Sequence, residues 1–371
     1  MHILHIYKDY PPVMGGIEYH VRDLAEGQAA RNYHVTVLVT SVDRRTTIST
    51  PLPNLTIIRA GRDLHAASTP LSRAMYWYAL RLRPDLVHLQ FPYPPGDLAA
   101  HLLPGRPPLV ISYQSDIVRQ QNLLRMYQPL LSYTLNRAAC ILASSPAYIH
   151  SSPWLQAHLA RCRVLPIGID TERFASADPQ LVAQWRARIG SRPALLFVGR
   201  LRYYKGLHLL IEALRQLPDP QLVIVGTGPE QQRLMAQVEQ SGLQERVRFL
   251  EDLPDADLPA LHRACDLFVL PSHLRAEAFG IAQAEALASG MACISTELGT
   301  GTSFVNRHAE TGIVVPAGDV PALVRAIHVL LANPALRHWY GQQAQQRMRQ
   351  LFSKQHMLNQ LDSIYLDVLK G

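Results

Sequence analysis

The feature that most constrains this chain is an alternation. Short apolar runs rich in β-formers are each followed by a longer stretch with helical spacing, and the pattern restarts midway. Strands are expected at His2–Tyr7, His34–Val39, Leu55–Ile58, Leu86–Gln90, Leu109–Ser112, Cys140–Ala143 and Arg163–Leu165. A second series runs Ala194–Val198, Gln221–Val225, Arg246–Leu250, Leu267–Leu270 and Ala292–Ser295. Helices are expected at Ile17–Arg31, Ser72–Arg83, Asn122–Arg137 and Pro146–Leu159, and Pro321–Leu369 reads as helical throughout. Alternation of this kind buries parallel strands beneath helices on both faces. Two series predict an α/β chain of two Rossmann-like, doubly wound domains facing across a cleft, with ligands outside the carboxyl ends of the strands. Pro166, Gly168 and Pro179 interrupt the pattern between the series, which places the boundary after residue 168.

Composition agrees. At ~150 residues per domain, 371 residues make two or three domains, and 48% hydrophobic content supplies their cores. No apolar run reaches the ~18 residues of a membrane span. The N-terminal run ends at once in Lys8 and Asp9, unlike a signal peptide. Cys140, Cys162, Cys265 and Cys293 form no CxxC and sit among apolar residues, so buried reduced thiols in a cytoplasmic protein are expected. The net charge is +7, and most of the excess lies in the first 180 residues. That suits an anionic partner: a phosphate group or a lipid surface at the inner face of the membrane. No Lys/Arg run or nucleic-acid motif is present, so nucleic acid is not expected. The 16 histidines contain no HExxH or H-x-H, and no metal is expected.

The strand-to-helix junctions carry the chemistry. Gly15-Gly16 precedes a helix, where bare N–H groups can meet an anion or simply make a turn. Gly199-Arg200 ends a strand and Lys205-Gly206 opens a helix, so two cations could clamp a diphosphate or stand solvated. Gly226-Thr227-Gly228 lacks the third glycine of a dinucleotide fingerprint, which disfavours a dehydrogenase. The most informative stretch is Leu270–Ala292. A helix is expected from Phe279-Gly280 to Gly290, with Glu277 before it and Glu285 inside it. Helical rise over eight residues separates these carboxylates by ~12 Å. That exceeds the ~9.5 Å upper limit for a cooperating carboxylate pair. It matches a nucleoside diphosphate sugar laid along the helix start, with the N–H groups of Phe279, Gly280 and Ile281 on the phosphates. Glu277 could equally serve the helix dipole, whereas Glu285 in an Ala-rich helix needs a partner.

With Phe279-Gly280 after Glu277, the E-x7-E spacing resembles the signature of retaining GT-B glycosyltransferases, in particular glycosyltransferase family 4. Five further elements follow in order: Gly15-Gly16-Ile17-Glu18, Leu165-Pro166-Ile167-Gly168-Ile169-Asp170, Phe197–Leu201 with Lys205-Gly206, Gly226–Glu230, and Asp266–Ser272. The resemblance spans nearly the whole chain. It implies an N-terminal acceptor domain (residues 1–168), a nucleotide-sugar domain (169–352) and a C-terminal helix (353–371) crossing back to the first. It also implies metal-independent hexosyl transfer with retention, from a GDP- or UDP-hexose to a glycan or lipid-linked acceptor, the donor phosphate taking the acceptor's proton. The sugar nucleotide is then a substrate, and no cofactor is implied. Arg200 and Lys205 would neutralise the diphosphate, Glu277, Phe279, Gly280 and Ile281 would hold sugar and phosphate, and Glu285 the ribose. The loops at Gly15, Gly16, Gly199 and Gly228 would approach the donor, the backbone of Arg248, Phe249 and Leu250 the base, and Thr300 the diphosphate. The Glu297–Asn306 region leans towards mannosyl-type relatives.

One position departs from that pattern. Where many relatives carry a His beside the reacting carbon, this chain reads Tyr113-Gln114-Ser115-Asp116. Gln114 can hydrogen-bond a sugar but cannot titrate; Asp116 remains to orient the acceptor. Two other readings stay open: a weakened or non-catalytic nucleotide-sugar binder, and a GT-B sugar-nucleotide epimerase. The aromatic and basic stretch Pro70–Arg83 would suit a membrane surface, or a core stripe with a solvated face.

Overall fold

The computed structural model describes residues 1–13, 15–66, 69–116 and 121–370. The chain divides into two compact units, Met1–Gly168 with Gln355–Gly371, and Ile169–Lys354.

The first unit is built on β1 (His2–Ile6), β2 (His34–Thr40), β3 (Thr47–Leu52), β4 (Leu55–Ala60), the hairpin β5 (Leu64–Ala66) with β6 (Thr69–Leu71), then β7 (Leu86–Phe91), β8 (Leu109–Tyr113), β9 (Cys140–Ala143) and β10 (Cys162–Val164). Its main sheet has the order β10-β9-β8-β7-β1-β2-β4-β3. All pairings are parallel except β3 with β4. β3 and the hairpin escape the sequence pattern because they are not buried on two faces: every residue of β3 is exposed. The second unit holds β11 (Ala194–Val198), β12 (Gln221–Val225), β13 (Val247–Leu250), β14 (Leu267–Leu270), β15 (Cys293–Glu297) and β16 (Gly312–Pro316). Its sheet is parallel, in the order β13-β12-β11-β14-β15-β16.

Each sheet reverses its winding once, between β1 and β7 in the first unit and between β11 and β14 in the second. At such a switch point the loops leave in opposite directions and open a crevice at the carboxyl ends.

Two expected helices are interrupted by local chemistry, and a third is shorter than expected. Pro146–Leu159 breaks at Ser152, whose extended backbone (φ −84°, ψ 119°) is the conformation a following proline imposes. Pro321–Leu369 is three helices, Val320–Ala332, Pro334–Leu351 and Lys354–Lys370. Asn333 ends the first and caps the second by accepting from the Leu336 N–H. The aromatic stretch forms only Arg73–Ala79, capped by Ser72. The unexpected helix Pro94–Leu102 follows β7.

The last helix belongs to the first unit. Met357, Leu358, Leu361 and Tyr365 form one buried face, packed on Ile3, Leu24, Leu86 and Val110. Burying side chains of this size contributes about 2 kcal/mol each. Arg31 binds Asp362 and donates to Asn359 at 2.7 Å on the flank of the same contact. The four cysteines are buried and unbonded to one another.

Candidate active site

In the second unit the two loops at the switch point carry the charges. The loop after β11 ends in the short turn Tyr203–Lys205, and the loop after β14 runs from Pro271 to Gly280. Gly206 closes the first loop at φ +71°, pressed against the Pro271 carbonyl so closely that a Cβ would overlap it. The His273 N–H donates to the Tyr204 carbonyl at 3.0 Å, tying the loops together. The result is a buried ion pair: Lys205 Nζ lies 2.5 Å from Glu277 Oε2, with each side chain about one-tenth exposed. Burial pulls the Lys205 ammonium down, but Glu277, helped by Tyr204, outweighs it and leaves its pKa above the ordinary lysine value.

Glu277 is held from several sides. The Ser272 hydroxyl donates to Oε2 at 3.2 Å, its own N–H reaches the Leu274 carbonyl at 3.1 Å, and its carbonyl accepts from Thr300 Oγ1 at 2.7 Å. Thr300 is fully buried, so its hydroxyl proton serves the Glu277 loop. The helix starts at Ile281, later than expected, and Gly280 caps it in the left-handed region (φ +82°). Among the described residues, the N–H groups of Phe279, Gly280 and Ile281 have no hydrogen-bond acceptor. Open amides at a helix start attract an anion. The Gln283 amide clamps this turn from within, donating to the Phe279 and Thr302 carbonyls at 3.2 and 2.9 Å.

Glu285 sits half-buried inside Ile281–Ala288, whose last turn leads into Gly290 at φ +85°. Because residues 277–280 precede the helix, the helical-rise spacing between Glu277 and Glu285 does not apply. Arg200 is exposed and makes no ion pair or hydrogen bond among the described residues. The Gly199 N–H donates to the Val225 carbonyl at 3.0 Å, and Gly228 lies against Leu201. Arg248, Phe249 and Leu250 lie on the edge strand β13, where the Leu250 carbonyl accepts from the Gly226 N–H at 2.9 Å.

Sequence reasoning missed the packing around Lys205. Tyr203 stacks on His208 (centroids 5.2 Å apart), and His273 meets both rings edge-on at 4.8 and 5.1 Å. Burial lowers the pKa of both histidines. Nothing in the spacing of Tyr203, His208 and His273 marks them as neighbours, since two loops must first meet.

The first unit presents a different edge. Gln114 follows β8, is buried, and donates from Nε2 to Gln90 Oε1 at 3.1 Å. Two residues on, Asp116 Oδ1 accepts from the Tyr113 hydroxyl at 3.0 Å and from Ser152 Oγ at 2.6 Å. Its N–H donates to the Tyr148 hydroxyl at 2.6 Å. After β1, Gly15 caps the helix Gly16–Ala30, while Met14 of the glycine loop lies outside the described residues. The Glu18 side chain folds back against Gly15, where a Cβ would strike it, and Lys8 stands 4.0 Å from it. An anion at this helix start would have to displace that carboxylate. Among the described residues no helix is long and apolar enough to cross a membrane.

The comparisons with known proteins bear on both units. The family profile described as Glycosyltransferase Family 4 matches residues 14–173, and that described as Glycosyl transferases group 1 matches residues 184–347. D-rhamnosyltransferase WbpZ of Pseudomonas aeruginosa is 39% identical over 95% of this chain and 92% of its own. O-antigen chain mannosyltransferase C of Escherichia coli is 36% identical over the full length of both. Sucrose-phosphate synthase from Thermosynechococcus elongatus superposes with a TM-score of 0.83 at 24% identity, covering 100% of this chain and 99% of its own. Fold and sequence together define a glycosyltransferase of the GT-B class. The chain belongs to glycosyltransferase family 4.

Proposed function

We propose that this glycosyltransferase is a metal-independent, retaining hexosyltransferase that uses a GDP-hexose, mannose first, and extends a polysaccharide acceptor. The observation that carries the reading is the Lys205–Glu277 pair on the switch-point loops, beside the open amides of Phe279, Gly280 and Ile281. Without a ligand the cation and the carboxylate neutralise each other. A sugar diphosphate gives Lys205 an anionic partner and gives Glu277 sugar hydroxyls to accept from. Charge then develops on the departing diphosphate, where Lys205, Arg200 and the helix start oppose it without reorganising. Glu285 accepts from the ribose hydroxyls.

In the reaction the bond from the anomeric carbon to the phosphate oxygen breaks. The acceptor oxygen bonds to that carbon on the same face, and its proton passes to the departing phosphate. Gln114 contacts the sugar as a neutral amide and Asp116 orients the acceptor. The donor assignment draws support from the two relatives, whose names specify D-rhamnose and mannose; D-rhamnose is 6-deoxy-D-mannose, so both sugars share the manno configuration. The acceptor assignment draws on the O-antigen chain in one of those names. A lipid-borne acceptor would suit the exposed Trp77 and Leu80 with Arg81, which lies 3.7 Å from the Trp77 ring.

Incubation with GDP-mannose, GDP-rhamnose, UDP-glucose and glycan acceptors, with EDTA present, tests this. Transfer with an α-anomeric product by NMR is expected. An inverted product, or transfer that EDTA abolishes, removes the retaining or metal-independent part. No transfer from any donor favours the non-catalytic reading, and a large gain in rate on Gln114→His would favour the weakened one.

A further inference from the structure

One face of the first unit's sheet changes character along its strands. Alternate positions on β7 run Leu86, His88, Gln90, those on β8 run Val110, Ser112 and on to Gln114, and those on β1 run Ile3, His5. The amino-terminal members belong to the apolar cluster beneath the last helix. Those nearer the carboxyl edge are polar, and all are buried. Polar groups persist in a core only when they pair.

These groups do pair, in a continuous line. Gln114 Nε2 meets Gln90 Oε1 at 3.1 Å, and Gln90 Nε2 meets His88 Nε2 at 3.4 Å. Ser112 Oγ lies 2.7 Å from the same imidazole nitrogen. The other nitrogen, Nδ1, is 2.6 Å from the Tyr365 hydroxyl on the last helix. Gln28 Nε2 donates to that hydroxyl at 3.3 Å, and Gln28 Oε1 lies 2.7 Å from His5 Nε2. Burial keeps His88 neutral by pushing its pKa well below the ordinary value. A neutral imidazole donates from one nitrogen and accepts at the other. With Nδ1 donating to Tyr365, Nε2 accepts from Gln90 Nε2 and from the Ser112 hydroxyl. With Tyr365 donating to Nδ1, Nε2 carries the hydrogen, gives it to Ser112, and repels the Gln90 NH2, which favours the turned amide. The direction of the Tyr365 bond therefore biases that of the Gln90 bond. Gln90, with one carbonyl and one amino end, passes that direction on to Gln114.

We propose that Tyr365 is a positioning residue for the transfer reaction, setting through His88 and Gln90 which end of the Gln114 amide faces the sugar. The kinetic consequence rests on the reading that Gln114 meets the sugar; the coupling itself does not.

The test is a double-mutant cycle with a spectroscopic arm. Tyr365→Phe lowers kcat about fivefold with donor KM unchanged, the size of one lost hydrogen bond. On a Gln114→Ala background it has no further effect. The side-chain NH2 resonances of Gln114, assigned by their loss in Gln114→Ala, shift in Tyr365→Phe. Gln90→Met, which cuts the line between its ends, reproduces these changes if Tyr365→Phe fails to fold. Unshifted Gln114 resonances, or losses that multiply in the double variants, overturn the proposal. If Gln114→Ala keeps full kcat, the catalytic reading of Gln114 fails, and the resonance shift still decides the coupling.

Discussion

The two units offer their sheet edges in opposite electrostatic states. At the edge of the second, a full positive and a full negative charge are buried 2.5 Å apart, with an exposed cation nearby in sequence and open amides beside them. At the edge of the first, the buried line from Gln114 to Tyr365 is formed by neutral groups, and Asp116 is fixed by hydroxyls. On the proposed function, a charged pair is suited to exchanging partners when a diphosphate arrives, because each member has an alternative. A neutral line is suited to holding an orientation. On that function, the difference means that one doubly wound architecture serves charge stabilisation in one copy and geometry in the other.

The largest expected effect separates the units by pH. Burial holds His5 and His20 near pKa 4, and His88 well below the usual value, all in the first unit. In an unfolded chain they titrate near 6.5. Below that pH the unfolded state binds more protons, so stability falls as pH drops from 6.5 towards 4. His5 and His20 each lose about 3 kcal/mol over that window. Asp97 works the other way: burial pushes its pKa up to about 8 despite the bond from Tyr127, so it offsets about one histidine below pH 6.5 and destabilises the fold between pH 6.5 and 8. In the second unit the fully buried His262 shifts in the same direction as His5, and the partly buried His208 and His273 shift that way too, while the first unit adds His101, also held near pKa 4. Amide-exchange protection in β1, β7 and β8 should peak near neutral pH and fall faster than that of β11 and β14 on acidification. Equal loss in both sheets would erase the distinction.

Next in size is Lys205→Ala. Removing one member of a buried pair leaves the other charge uncompensated, at about 3–5 kcal/mol of stability. The loss of a preorganised donor to the leaving group lowers kcat/KM about a thousandfold. Adding Glu277→Gln to that variant should restore the melting temperature and leave the activity lost. Recovery of both would mean that Lys205 serves the fold alone.

How much of this was legible depends on which force wrote the pattern. Doubly buried strands such as Ala194–Val198 and Cys140–Ala143 stand out because hydrophobic burial sets nearly every residue. β3 does not, since an exposed antiparallel edge carries no such constraint. Lys205 beside Gly206 and Glu277 ahead of a helix start were readable as charges, but their pairing was not. It depends on Gly206 reaching the Pro271 carbonyl across the sheet reversal. Thr300 was read as a ligand contact; that its hydroxyl supports the Glu277 carbonyl was not legible. His88, Gln90 and Ser112 do leave a trace: polar residues at alternate positions inside apolar strands, a pattern that burial by itself disfavours.

A smaller effect sharpens the contrast within the second unit. Glu285→Ala should raise donor KM about 10- to 100-fold, the range for a hydrogen bond to a charged group, with little change in kcat. An interaction that is equally strong in ground and transition states acts in this way. A fall in kcat at constant KM would move Glu285 from the ribose to the reacting end of the donor.

The smallest effect tests whether the first unit works by orientation. Tyr148 is buried on the helix Pro146–Ser151, where its hydroxyl accepts from the Asp116 N–H at 2.6 Å. Tyr148→Phe keeps the ring, and with it the packing beside Tyr113 (centroids 6.3 Å apart). It removes the hydroxyl that accepts from the Asp116 N–H, a neutral bond worth about 1 kcal/mol. Asp116 keeps its charge and its bonds from Tyr113 and Ser152, so the carboxylate stays in place but less firmly held. Turnover should therefore fall about threefold to fivefold at saturating donor, with donor KM unchanged because the second unit is untouched. Measured against acceptor concentration, the loss should appear in kcat/KM for the acceptor. A loss confined to donor KM would show that the neutral edge handles the nucleotide as well, and the division between the two units would not hold.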